Sequence, residues 1–280
     1  MKKKIVITGS SGTIGSFLVK NSLKNLDICK LDYKKCCNIS LISKALKDFN
    51  ADILIHCAAP TDLDNAEIEK DKHYEDNFVV TRNLVDYIKN KNVIFIYMSS
   101  TGVYGDWKDS YYKEDDRCIP SSFHHKCKLE AENYVIKNLD SYFILRLGWV
   151  FSSYFSTENN DFVAKIYNIL KMNNDLTVNM TQKGVPTSTS LIDKVVNFII
   201  ENPKLKSEIY NVVSSGQASR MEYILKIQEV FKTTSKIKGT KNFFRLAKVS
   251  NNETASNKKL SLLIDQEIPD WEHYINNIKK

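Results

Sequence analysis

The chain has 280 residues, 42% of them hydrophobic, which suits one large α/β domain or a nucleotide-binding domain with a small appended lobe, and excludes disorder. Its net charge of +7 comes from lysines scattered along a Lys- and Asn-rich sequence. With no block of five like charges, no zinc-finger spacing and no interleaved aromatic and basic residues, the charge gives no sign of a nucleic-acid partner. Six cysteines without a CxxC pair read as reduced thiols of a cytoplasmic protein. The opening MKKKIVITGSSG loses its apolar run at Gly9, too early for a signal core, and no later segment reaches membrane-span length.

In chain order, β-branched runs KIVIT (4–8), DICKLD (27–32), DILIHCAA (52–59), VIFIYMSS (93–100) and YFILRLG (142–148) alternate with helical stretches at about 12–25, 39–48, 65–90 and 121–138. That rhythm predicts a Rossmann-type, doubly wound parallel sheet with helices on both faces. Residues 1–150 form the expected dinucleotide-binding domain. Residues 151–280 are expected mostly to form a substrate lobe, with some elements returning to the sheet. Within it, the loop SSYFSTENND (152–161), a helix, the strand LTVNM and TQKGVPTSTS read as loops and small elements over the sheet edge. EIYNVV (208–213) and a helix at 219–232 then resume regular structure.

TGSSGTIG follows the first strand and opens the first helix, with Gly9, Gly12 and Gly15 spaced for a tight turn, close approach to a pyrophosphate and helix–strand packing. Thr13 and Ile14 complete the helix start, whose free amides attract phosphate. Asp32 ends the second strand where an acid would accept from the adenosine ribose. That favours NAD(H), while Lys34 and Lys35 just beyond it keep NADP(H) open.

TGSSGTIG, DILIHCAAPTDLDNAE, MSSTGVYGD and KLEAE resemble, in order and spacing, the extended short-chain dehydrogenase/reductases. More narrowly, ILRLGWVFS, NNDFVAKI, TQKGVPTS and SNKKL…IPDWEHYI resemble the dTDP-4-dehydrorhamnose reductase group. The resemblance implies a nicotinamide cofactor, a nucleotide-sugar substrate and a role in polysaccharide biosynthesis. It adds Asn38, Ile39, Cys57, Ala58, Ala59 and Asn77 to the cofactor-lining residues, and implies a homodimer through the helices at 65–90 and 121–138. Asn38 stands where the group usually has an acid.

By the same alignment the hydroxyl that faces the substrate carbonyl is Ser100, and the lysine of the family's Tyr-x-x-x-Lys pair is Lys128, which also contacts the cofactor. The tyrosine position is His124. A tyrosine with pKa about 10 needs a nearby cation to act near neutrality, whereas histidine, near 6.5, transfers protons there unaided. Lys128 one turn away disfavours imidazolium. The expectation is therefore that His124 donates the proton, directly or through water, with activity greatest on the acidic side of neutrality. Without the family pattern, HHK reads as a solvated helix face. An epimerase or dehydratase on the same fold, or a silent NAD(P)-binding protein, are the alternatives.

On the substrate side the resemblance points to Thr61, Trp149, Asn160, Phe162 and Pro186. Trp149 could stack on sugar or base, or be a buried structural residue. Arg146 could meet a diphosphate, although its place in a strand favours a structural ion pair. No metal site is expected: Cys118, His124, His125 and Cys127 cluster in sequence, but adjacent helical histidines point about 100° apart.

Overall fold

β-branched runs form strands because their stiff side chains pack well on a pleated surface buried on both sides. The computed structural model describes residues 2–279. The chain runs through β1 (Lys4–Thr8), α1 (Thr13–Lys20), β2 (Asp27–Leu31), α2 (Tyr33–Cys36), α3 (Ile39–Ala45) and β3 (Ile53–His56). Next come α4 (Leu63–Ile68), α5 (Lys70–Tyr74), a π turn (Glu75–Val79), α6 (Val80–Ile88), β4 (Ile94–Ser100), a 3-10 turn (Thr101–Tyr104), α7 (Phe123–Asn138) and β5 (Tyr142–Leu147). The remainder comprises β6 (Trp149–Phe151), α8 (Phe162–Lys171), β7 (Leu176–Asn179), β8 (Lys183–Gly184), β9 (Pro186–Ser188), α9 (Thr189–Glu201) and β10 (Glu208–Val212). It closes with β11 (Ala218–Ser219), α10 (Arg220–Phe231), β12 (Ile237–Thr240), α11 (Lys258–Ile264) and α12 (Trp271–Asn276).

Six parallel strands form the central sheet in the order β2-β1-β3-β4-β5-β10. The order turns back between β1 and β3, and such switch points open a ligand crevice beyond the carboxyl ends of the strands. Ile5 and Ile7 face a core shared with α1, α9 and α11, while Val6 faces one shared with α3, α6 and α7. A third cluster, including Phe151, Ile166, Tyr223 and Trp271, packs the C-terminal lobe.

Two expectations need correction. The stretch 65–90 is three helices and a π turn rather than one helix, because the chain breaks at Glu69 (φ −106°, ψ 58°). Between TQKGVPTSTS and EIYNVV, where no element was expected, the chain forms α9, capped by Ser188, whose Leu191, Ile192, Val195, Val196, Ile199 and Ile200 are buried in the core against α1 and the sheet. Its polar start disguised an apolar helix.

α7 is fixed to the sheet by a buried ion pair. Arg146 Nη2 on β5 lies 2.7 Å from Glu132 Oε2, and Nε bonds both carboxylate oxygens. The Ser99 hydroxyl of β4 donates to the same carboxylate, and the guanidinium sits 4.8 Å over the Tyr104 ring. Glu132→Ala should leave an uncompensated buried cation and cost about 3–5 kcal/mol. Glu132→Leu combined with Arg146→Met should recover most of that loss. Urea denaturation measures both, and a cost below about 1 kcal/mol for Glu132→Ala, the range of an exposed pair, would refute the assignment.

Candidate active site

At the end of β1, Gly9 adopts φ +67°, and a Cβ there would lie 2.6 Å from the Ala58 nitrogen, so only glycine lets this turn close against Cys57, Ala58 and Ala59. The Thr8 hydroxyl accepts from the Ala58 amide and bonds His56 Nδ1 at 2.7 Å, tying the turn to β3. His56 is enclosed between Thr8 and Thr81, and burial pushes its pKa down to about 3. Gly12 caps α1 without a side-chain hydrogen bond, so the first-turn amides of Thr13, Ile14 and Gly15 remain open to phosphate. This cradle fits a dinucleotide diphosphate.

Asp32 is exposed at the end of β2, where one carboxylate oxygen accepts from the Lys34 amide to cap α2. Its second oxygen is left for a ribose. Asn38 likewise caps α3 by accepting from Ser40 N at 2.7 Å, beside an exposed Ile39. Asn77 is buried in the π turn with its Oδ1 unpartnered.

The rings of His124 and His125 meet edge to face, with centroids 5.1 Å apart, and each takes its own hydrogen-bond partner. His124 Nδ1 lies 2.9 Å from His73 Nε2 of α5. Asn77 Nδ2 contacts His73 Nε2 at 3.0 Å and the Pro60 and His73 carbonyls at 3.4 and 3.2 Å. The two carbonyls identify the Asn77 amide nitrogen, and one proton between His73 Nε2 and His124 Nδ1 joins the two rings. His124 Nε2 makes no hydrogen bond to the protein among the described residues.

His125 takes the place opposite Ser100 that the sequence alignment gave to His124. Its Nε2 is 3.3 Å from Ser100 Oγ, and its Nδ1 is 3.0 Å from the Oγ of Ser122, the cap of α7. A Cβ on Gly102 would come within 2.1 Å of the imidazole, so Gly102 leaves the space that His125 fills. The Gly102 amide donates to Ser100 Oγ at 3.2 Å. Lys128 is 6% exposed, donates to the Met98 carbonyl at 3.0 Å and lies 4.9 Å over the Tyr97 ring; burial brings its pKa down to about 8.

Burial, reinforced by His125, Lys128 and His73, holds the His124 pKa well below 6.5, so an imidazolium is not its resting form near neutrality. Burial also lowers the pKa values of His125 and His73.

On the lobe side, Thr61 and Asn160 are exposed, whereas Pro186 is buried and pairs with Trp149 across β6 and β9. Phe162 stacks on Tyr223 at 5.1 Å. Trp149 is only 8% exposed: Arg220 covers one face at 3.5 Å, Gly184 presses against the indole, and Nε1 donates to Glu253 Oε2 at 2.8 Å. The structural alternative for Trp149 therefore prevails over stacking on that face. Arg146 is bound to Glu132, and Val135 of α7 is committed to the sheet core. Sequence reasoning missed His73, Ser122, Arg220 and Glu253; the HHK run was the visible signal that two histidines share this helix end.

Fold, glycine turn and strand-end site define a Rossmann-type protein of the extended short-chain dehydrogenase/reductase superfamily. The chain belongs to the RmlD substrate binding domain family, which matches residues 2–280. It is 25% identical to the dTDP-4-dehydrorhamnose reductase of Aggregatibacter actinomycetemcomitans over 99% of this chain and 98% of that one. It is 29% identical to the same enzyme from Sinorhizobium fredii over 77% of this chain and 74% of the relative. Among solved structures, dTDP-4-dehydrorhamnose reductase from Bacillus anthracis in complex with NADP superposes with TM-score 0.92 at 25% identity, covering 99% of both chains.

Because His56, His73, His124 and His125 have lowered native pKa values, the unfolded chain binds more protons below pH 6.5. Their contribution to stability is present above pH 6.5 and is lost as the pH falls below it. Denaturation at pH 7 and pH 5 should show stability falling on acidification, by up to about 1.4 kcal/mol per pH unit for each histidine. Replacement of His124 by Gln should make the fall shallower; an unchanged slope would exclude a buried neutral ring at 124.

Proposed function

We propose that the protein is a nicotinamide-dependent reductase of a 4-keto-6-deoxy nucleotide sugar, acting in polysaccharide biosynthesis. The observation that carries this reading is the convergence of Ser100, the two α7 histidines and Lys128 beside an uncapped helix start at the switch point of the sheet. The names and full-length coverage of the relatives support it.

When bound, the nicotinamide supplies a hydride to the carbonyl carbon. Gly9, Gly12 and the amides of Thr13, Ile14 and Gly15 hold the diphosphate, and Asp32 the adenosine ribose. The exposed Asp32 carboxylate favours NAD(H), while exposed Lys34 and Lys35, together with the NADP complex of the Bacillus anthracis relative, support NADP(H).

The hydroxyl of Ser100 polarises the carbonyl oxygen. The developing alkoxide takes its proton through a water held at the free His124 Nε2, and the Lys128 ammonium replaces it. A lysine with pKa about 8 is mostly protonated at neutral pH, so it supplies the charge that neither histidine carries.

Reduction rates measured with NADH and NADPH and a dTDP-4-keto-6-deoxyhexose test this scheme. The wild type should consume cofactor stoichiometrically, whereas an epimerase or dehydratase would recycle it. Loss of the imidazole in His124→Ala should lower kcat roughly 100-fold. The wild-type rate should decline as the pH rises through about 8, and Lys128→Arg, whose guanidinium cannot give up a proton, should lower the rate across the range and remove that limb. Equal rates for wild type and His124→Ala would eliminate His124 from the mechanism.

A further inference from the structure

A nucleotide-sugar ligand brings a diphosphate, and the cation that the sequence offered for it, Arg146, is consumed by Glu132. Arg245 is also taken: its guanidinium makes bonds to Asp64 at 3.1 to 3.3 Å. Lys128 is turned to the Met98 carbonyl at the reaction end. Arg220 differs from all three. Among the described residues it forms no ion pair within 4 Å.

Its setting is built rather than incidental. The guanidinium lies flat at 3.5 Å over the Trp149 ring and 5.0 Å from that of Phe162. Nε donates to Gln182 Oε1 at 3.2 Å, and the Arg220 amide donates to the Gln182 carbonyl at 3.0 Å, so backbone and side chain are held by one residue. Among the described residues both terminal nitrogens make no hydrogen bond to the protein, which preserves the fork that grips two anionic oxygens. Arg220 is also the first residue of α10, where the helix dipole opposes a cation and attracts an anion. Burial weakens its charge, lowering its pKa to about 10. A cation kept in so unfavourable a place, with no carboxylate within ion-pair distance and only the attraction of nearby Glu253 to offset its burial, is the arrangement expected where a ligand supplies further counter-charge.

Its position relative to the reacting groups follows from Glu253. This carboxylate is fixed by Trp149 Nε1, the ring beneath Arg220, and its charge acts on both Arg220 and His125. Arg220 thus lies on the lobe side of the cleft that Ser100 and His125 border from the sheet.

We infer that Arg220, stacked on Trp149 and Phe162 and oriented by Gln182, binds the diphosphate of a nucleoside-diphosphate ligand. The inference rests on the proposed nucleotide-sugar reading and identifies the part of the ligand that the lobe recognises. Calorimetric titration of the full chain with dTDP, UDP, dTMP and thymidine, in parallel with NADPH, tests it without turnover. For the wild type, the two diphosphates should bind at least roughly tenfold more tightly than thymidine. Removing the charge in Arg220→Gln should abolish most of that difference and leave NADPH affinity unchanged. Arg220→Lys, which keeps charge but not the fork, should fall between them and serves as the reading if the Gln variant is unfolded. Diphosphate affinity unchanged in a folded Arg220→Gln protein would overturn the inference alone. Absence of any dTDP or UDP binding to the wild type would overturn both it and the proposed substrate class.

Discussion

The orientation of α7 depends on one buried contact, the Glu132–Arg146 pair, and the chemistry of the site follows from that orientation. At 100° per residue, His125 and Lys128 lie within about 40° of Glu132 on the helix surface, whereas His124 is turned about 80° away. Glu132 binds Ser99, and His125, on the same stripe, reaches the next residue of β4, Ser100. His124 is carried round to His73 instead. A pair that costs desolvation to bury is retained here as a register pin, because loss of either partner would free the helix to rotate.

That rotation separates two tasks. One imidazole, His125, bonds the serine hydroxyl; the other, His124, is backed by His73 and Asn77. Neither carries charge near neutrality, because burial and the nearby Lys128 charge lower the pKa values of His73, His124 and His125. The positive charge settles on Lys128, the most basic of them. In the scheme proposed above, the electrostatics therefore differ from a tyrosine flanked by a lysine: proton donation moves to the ammonium, and the imidazoles serve as conduits and brackets for it.

Much of this was legible in the amino-acid order. Alternating β-branched runs gave the five N-terminal sheet strands, and glycine spacing gave the turn, because both patterns are local responses to backbone geometry. The helix-phase argument treated His124 and His125 as pointing apart, whereas their rings meet edge to face at 5.1 Å while bonding different partners. What it could not supply was which of the two would face Ser100. That depends on the Glu132–Arg146 contact and on the space above Gly102, which are set by residues distant in sequence. Trp149 and Arg220 show the same limit: seventy-one positions apart, they become one stacked unit only when the lobe folds back. α9 escaped notice because its cap, TSTS, reads as loop while its apolar face is meaningful only against α1.

The cleft as a whole is organised by where charge is left unpaired. Arg146 and Arg245 meet carboxylates and do mechanical work, the first fixing α7 and the second tying the 245–247 strap to α4 through Asp64. Lys128 and Arg220 meet none among the described residues, although both have pKa values lowered by burial. Folding alone would select against two such cations, since replacing each by an apolar residue would relieve the desolvation cost. On the reading proposed above, their retention matches a ligand that carries negative charge at one end and develops it at the other during reduction. A keto sugar joined to a diphosphate has that polarity.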